Sequence, residues 1–282
     1  MSTAALKISY QVFRIPKRSG GTRSIEAPNA GLKRYQQERL RFLSKNIRVS
    51  PFAHAFQIYK NTATAAMPHV GKEWVACMDI KDFFPSVTER ILLRYVRTKT
   101  RNRIYPPDLL HLVFDFDDGK GVRLPQGAPT SPFLANAALL SLDWYIARQA
   151  AASDCAYTRY ADDLVFSGAN KDDLAKIMTM AAGRLIGMGF KINRKKTRYM
   201  HRSRRQMVCG VVVNEKLNLP RRWRKNLRAE KYQKELAGHI PLTTKGRLAY
   251  EEMVRNNKKD TYSNIEIISA MAIEAKLRLT RQ

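Results

Sequence analysis

Apolar residues recur at helical spacing in GLKRYQQERLRFLSKNI (31–47), where Leu32, Tyr35, Leu40 and Leu43 fall near one stripe. That spacing predicts an amphipathic helix. A second stripe, Leu174, Ile177, Met178, Ala181 and Leu185, predicts another helix, capped by Asn170-Lys171-Asp172-Asp173 and ended by Gly187 and Gly189. Elsewhere the pattern shortens. WVACMDI (74–80) is an apolar run of strand length, and IPKRSGGTRSIEAP (15–28) reads as a strand, a glycine turn and a second strand. SVTERILLRYVRTK opens with Ser86 and Glu89 at capping-box spacing, which predicts a helix starting there. Ser131-Pro132 predicts an N-cap and first-turn proline for a helix through FLANAALLSLDWYIARQA. CAYTRYADDLVFSG is a hairpin candidate, and FKINRKKTRYM reads as one strand.

From residue 74 to 200 the order is therefore β–α–α–ββ–α–β. An antiparallel sheet with helices on one face, of the ferredoxin-like split βαβ kind, satisfies that order with short connections. No repeat, low-complexity tract or linker interrupts the chain, so subdomains are expected to pack closely.

Composition narrows the classes. With 282 residues and 44% hydrophobic positions there is material for one large domain or two smaller ones. No apolar run approaches the ~18 residues of a membrane span, so no membrane partner is expected. The N-terminal MSTAALKISYQVFRIPKRSGG lacks the apolar core of a secretory signal. Cys77, Cys155 and Cys209 make no CxxC pair, which fits free thiols in a reducing cytoplasm. The formal net charge of +27 changes the picture most. Lys and Arg dominate the block from Lys191 to Lys234, interleaved with Tyr199, Trp223 and Tyr232. Such a one-signed block points to a polyanion, and to nucleic acid before membrane.

Against that charge, the adjacent carboxylates of YADD (160–163) stand out. Asp79 ends the first predicted strand, while Asp162 and Asp163 fall at the predicted hairpin turn. In a split βαβ sheet those strands can be neighbours. Alternation of side chains then favours Asp79 and Asp162 as the facing pair, with Asp163 more peripheral. Clustered carboxylates repel one another unless a cation sits among them, and Mg²⁺ takes such hard oxygen ligands. Two such ions would serve phosphoryl transfer. A strand end plus an ordinary aspartate turn accounts for the same three residues equally well.

Three blocks together, MDIKDFFPSV, LPQGAPTSPFLAN and YADDLVFS, resemble those of reverse transcriptases, in the same order. The resemblance runs from about Ile15 to Asn214 and is strongest to the retron reverse transcriptases of bacteria. It implies an α+β right-hand polymerase: fingers over 1–72, a ferredoxin-like palm with the remaining fingers segment over 73–214, and a basic helical thumb over 215–282. It implies that Asp79, Asp162 and Asp163 hold two Mg²⁺ ions. Phe84 then matches the bulky residue under the incoming sugar, where a ring excludes a 2′-hydroxyl, whereas Phe83 suits a core position. Gln126 matches a residue touching the incoming deoxynucleoside triphosphate, and Gly127 gives backbone approach. Lys17 and Arg23 flank the Gly20-Gly21 turn that would grip the triphosphate. Lys196, with Lys195 as the alternative, matches the lysine near the leaving pyrophosphate. VCGVVVN (208–214) matches the hairpin that supports the primer end. Arg221, Arg222, Arg224 and Lys225 would hold duplex by its phosphates.

What the resemblance implies of function is RNA-directed DNA synthesis on a structured noncoding RNA, primed from a guanosine 2′-hydroxyl. The product is branched RNA-linked DNA, and the setting is anti-phage defence with a separate effector protein. Two positions depart from the retron pattern. Ala65-Ala66-Met67-Pro68-His69 lacks the family's asparagine, and Val208-Cys209-Gly210 has cysteine where the family has threonine. The rivals are a group II intron-type enzyme, another bacterial defence reverse transcriptase, and a catalytically idle RNA-binding scaffold.

Overall fold

The computed structural model describes residues 9–17, 20–93, 113, 122–236 and 241–256. At the N-terminus β1 (Tyr10–Pro16) and β2 (Thr22–Pro28) form an isolated antiparallel hairpin, with Tyr10 opposite Pro28 and Pro16 opposite Thr22. Gly20 and Gly21 carry φ +87° and +76° at its tip, a turn that only glycine makes without strain. Asn29 caps the helix Ala30–Asn46 by accepting from the Leu32 amide at 2.8 Å. Leu32 and Leu43 face inward as the periodicity predicts, and Gln36 shares that face, donating to the Tyr10 hydroxyl at 2.9 Å. The hairpin is thereby tied to its helix.

The central sheet has five strands, all antiparallel. β4 (Ala156–Tyr160) pairs with β5 (Asp163–Gly168), and β5 pairs with β3 (Trp74–Lys81). The far edge of β3 is shared by β6 (Lys191–Ile192) and β7 (Arg198–His201). This is the expected split βαβ order, with one correction. FKINRKKTRYM is not a single strand: residues 193–197 turn out of the sheet, with the Lys196 amide donating to the Asn193 carbonyl at 3.0 Å.

Alternation along β3 divides the interior in two. Ala76, Met78 and Ile80 pack with Leu164 and Phe166 against the helices Ser131–Ala138, Leu140–Ala152 and Lys171–Gly187. In the last of these, the five buried residues are those of the predicted stripe, and Asn170 caps it through the Asp172 amide. Val75, Cys77 and Val165 point to the opposite face, which is not left bare. There they meet the short hairpin of β8 (Met207–Val208) and β9 (Val211–Val212), with Leu217, Leu219 and Val254. Asp79 follows Val75 and Cys77 in alternation, so it faces this second side.

Two helix starts differ from expectation. Ser86 is the last residue of a short helix, Phe83–Ser86, and its hydroxyl donates to the Lys81 and Asp82 carbonyls rather than capping a new one. The following helical residues begin at 89, beyond a bridge from Thr88 to Arg123, and the predicted segment past residue 93 lies outside the described residues. Ser131 is itself the first helical residue, after Thr130, which makes no side-chain cap.

His69, the histidine of the altered retron motif, is wholly buried between the Ser167 hydroxyl at 2.7 Å and the Thr158 hydroxyl at 2.8 Å. Burial lowers its pKa to about 3, so it stays neutral and fastens the loop before β3 to β4 and β5. Residues Arg221–Leu236 and Leu242–Asn256 form a helical pair, joined by Trp223 on Tyr250 and by Glu230 accepting from Thr244 and Arg247. The remainder of the segment expected to be a thumb, past residue 256, lies outside the described residues.

Candidate active site

Three carboxylates meet where β3 ends and the β4–β5 hairpin turns. The turn has two residues, Ala161 and Asp162, and Ala161 takes φ +56° at its first position. Hairpins this tight need such a residue, and alanine adopts it at a cost of order 1–3 kcal/mol. With the turn closed in two residues, Asp163 becomes the first residue of β5 and the direct partner of Asp79. Partners across a ladder share a face, with Cβ atoms about 5 Å apart. The facing pair is therefore Asp79 and Asp163, not Asp79 and Asp162 as alternation alone suggested. Asp162 stands beside them in the turn, its carbonyl accepting from the Ile80 amide at 3.0 Å.

Burial shapes the chemistry of the group. Asp79 is almost fully enclosed, 3% exposed. Burial, then the charges of Asp162 and Asp79, push the Asp163 pKa up to about 6. Burial also raises Asp162, with Asp79 adding to the effect. The turn that breaks the last strand supplies a counter-charge: Lys196 Nζ donates to Asp79 Oδ1 at 2.5 Å, and this bond raises the lysine's pKa. Lys196, rather than its neighbour Lys195, is thus the lysine the fold delivers.

The donor set fits a hard divalent cation: oxygen ligands only, partly desolvated, mutually repelling, and already drawing an ammonium to Asp79. Among the described residues no three acidic, histidine or cysteine side chains converge tightly enough to enclose an ion as they stand. Lys196 lies against Asp79 with its side chain 55% exposed, so it is free to move off the carboxylate.

The other predicted residues are placed as follows. Arg23 lies on the exposed first half of β2, near enough for its charge to lower the Asp162 pKa against the effect of burial. Lys17 is exposed at the hairpin tip, where its amide and carbonyl close the turn with Gly21 and Gly20. Gln126 is held by Glu26 on both sides: its amide donates to Glu26 Oε2 at 2.6 Å, and its carbonyl accepts from the Glu26 amide at 2.9 Å. Glu26 also pairs with Arg123 at 3.1 Å, both nearly buried. Gly127 has φ +148°, and a Cβ there would meet the Glu26 carbonyl at 2.7 Å. The close approach it permits in this structure is to β2. Phe83 is core, 5% exposed, and Phe84 is half-buried beside it. Arg221, Arg222 and Lys225 are exposed on one helix, while Arg224 turns back to donate to the Leu219 carbonyl at 3.1 Å.

One group was not anticipated. Arg159, wholly buried, forks onto Asp143 at 2.9 and 2.7 Å and gives Nη1 to Asn136 and to the Ala161 carbonyl at 3.1 Å. It therefore grips the strained residue that precedes Asp162 in the turn and Asp163 at the start of β5. Asp143, the one acid of its helix, was the available signal.

Comparison with known proteins identifies the family. Residues 15–235 match the model of the family described as reverse transcriptase (RNA-dependent DNA polymerase). The chain is 40% identical to the retron Mx65 reverse transcriptase of Myxococcus xanthus over 87% of its own length and 61% of that protein's. It is 30% identical to the retron Ec86 reverse transcriptase of Escherichia coli, over 78% of this chain and 68% of that one. Among solved structures, telomerase from Candida albicans, in complex with a fragment of telomeric RNA, superposes with a TM-score of 0.55 at 11% identity. It covers 84% of this chain and 48% of that one, and shares the fold. The chain spans 61% and 47% of the first two retron relatives' lengths.

Proposed function

Because the chain belongs to the reverse transcriptase family, and within it to the retron reverse transcriptases of bacteria, we propose that it is an RNA-directed DNA polymerase. Its template and primer would be one structured noncoding RNA, its substrates deoxynucleoside triphosphates, and its product DNA joined to that RNA through a branch. The observation that carries this reading is the ladder pairing of Asp79 with Asp163 beside Asp162, with Lys196 drawn onto Asp79.

Asp79, Asp162 and Asp163 would hold two Mg²⁺ ions, which supply activation of the attacking hydroxyl and charge neutralisation at the transferred phosphate. The chain's own residues do the rest. Arg23, beside Asp162, offers a planar fork suited to the triphosphate, and Lys17 adds a charge at the same hairpin tip. Gln126, locked by Glu26, presents its side chain from a fixed backbone. Phe84 bounds the sugar. Lys196, delivered beside Asp79 by the turn after β6, would move off that carboxylate when a cation binds and protonate a leaving pyrophosphate oxygen. The division into fingers, palm and thumb at about residues 72 and 214 follows from the same reading, as do a separate effector protein, a role in anti-phage defence and a cytoplasmic setting. Among the described residues no helix is long and apolar enough to cross a membrane.

The test is the product. Cells carrying the gene with its flanking sequence should accumulate a small DNA that RNase shortens without releasing a bare 5′ DNA end. DNA with no attached ribonucleotide would remove the retron reading and leave the polymerase reading standing.

The basic helix gives a separate expectation. Replacing Arg221, Arg222 and Lys225 should weaken duplex binding. It should also flatten the plot of log affinity against log salt, by up to about 0.9 for each phosphate that is no longer neutralised. An unchanged slope would assign these charges to solubility alone.

A further inference from the structure

The segment between the first long helix and β3 contains a half-exposed phenylalanine in an improbable backbone state. Phe56 has φ +59° and is 51% exposed. A bulky residue in the left-handed region is a genuine outlier, and it persists only where the surroundings fix it. The surroundings here do so on both sides. The Ala55 carbonyl accepts from Asn136 at 2.8 Å, Gln57 donates to the Ser50 and Ala53 carbonyls, and Lys60 donates to those of Pro51 and Ala53. One strand further in, Phe52 and His54 are bonded through their backbones to Arg159. So much anchoring for an exposed ring delivers that ring to a set place.

The place is Phe84. The two rings lie 6.0 Å apart at 50°. On its other flank Phe84 meets buried Phe83 at 5.4 Å, and Phe83 leans on Phe190 at 6.5 Å. The backbone leading into Phe84 is fixed as well, through Asp82 at φ +48° and the Ser86 hydroxyl on the Asp82 carbonyl. A ring that selects a sugar by exclusion works only if it cannot yield. Phe84 also packs against the core beneath it, and the contact with Phe56 adds a second aromatic wall that opposes a change of its χ1 rotamer.

We propose that Phe56 is a positioning residue for nucleotide selection, holding the Phe84 ring so that it discriminates against ribonucleotides. The inference rests on the polymerase reading with Phe84 as its sugar gate. The test measures kcat/KM of the purified full chain for a deoxynucleotide and its ribonucleotide on a primed RNA template. Phe56→Ala should lower discrimination by about 2- to 13-fold, the worth of one aromatic pair, chiefly by admitting the ribonucleotide. Phe84→Ala should lower it further, and Phe56→Tyr, which keeps the ring, should retain the wild-type ratio. If Phe56→Ala kept wild-type discrimination while Phe84→Ala lost it, or slowed both nucleotides equally, Phe56 would have no positioning role and the polymerase reading would stand. Absence of DNA synthesis by the wild-type chain would overturn the polymerase reading itself.

Discussion

Asp163→Asn should abolish RNA-templated DNA synthesis, a loss of about a thousandfold or more, and leave RNA binding near the wild-type level. The magnitude is that of removing one strong electrostatic group from a preorganised site. The amide preserves size and the ladder partner of Asp79, so the sheet is kept and only charge is lost. Asp162→Asn should do the same from the turn. A second measurement separates charge from shape. The Asp163 pKa stands at about 6, above the usual carboxylate value of 3.8. The folded state thus holds this proton more readily than the unfolded chain does. The sign follows: the group's contribution to stability is most favourable below about pH 4 and is lost as pH rises through about 6. In metal-free buffer the wild type should therefore lose stability relative to Asp163→Asn across that window, and the gap should hold constant above it. Added Mg²⁺ at neutral pH should raise the wild-type Tm and leave the variant's nearly unmoved. Undiminished synthesis by Asp163→Asn would sink the assignment of the carboxylates.

Much of this site is legible in the sequence, and the misses have identifiable causes. Periodicity fixed the face of Lys171–Gly187 because a long amphipathic helix has one way to bury Leu174, Ile177 and Leu185. Alternation alone named Asp162, not Asp163, as the partner of Asp79. Register depends on how many residues the turn consumes, and a two-residue turn with Ala161 left-handed shifted the pairing from Asp162 to Asp163. FKINRKKTRYM read as one strand from Phe190 and Ile192 at one end and Tyr199 and Met200 at the other, with no apolar residue between them to mark the break. Lys196 bonded to Asp79 accounts for the break, and a bond between residues 117 apart leaves no mark on local periodicity. The capping box at Ser86 failed for a similar reason, since its hydroxyl found the Lys81 and Asp82 carbonyls instead. Arg159 was missed because a charged residue within a strand reads as a solvent-facing position unless its buried partner is known.

That partner makes the last prediction the largest in stability. Arg159 and Asp143 are both fully buried, and Asp143 also accepts from the Tyr157 hydroxyl at 2.8 Å. Arg159→Met removes one half of the pair and leaves an uncompensated carboxylate in the core. Such a loss costs about 3–5 kcal/mol and should lower Tm by roughly 10 °C in a chain of this size. Activity should fall too, but that alone proves nothing, because an unfolded enzyme is inactive. The informative variant replaces the whole network: Arg159→Met with Asp143→Leu and Tyr157→Phe. Buried ion pairs exchanged for apolar groups of similar volume are often neutral in stability, so this variant should regain most of the lost Tm. It still lacks the guanidinium that bonds the Ala161 carbonyl and Asn136. Without that grip the strained turn at Ala161 is held less firmly, and Asp162 and Asp163 lose their fixed relation to Asp79. Synthesis should therefore stay at least about tenfold below wild type, as expected when reacting groups lose alignment. Recovery of both stability and synthesis would reduce the Arg159–Asp143 pair to core packing. Recovery of stability alone assigns it to aligning the carboxylates.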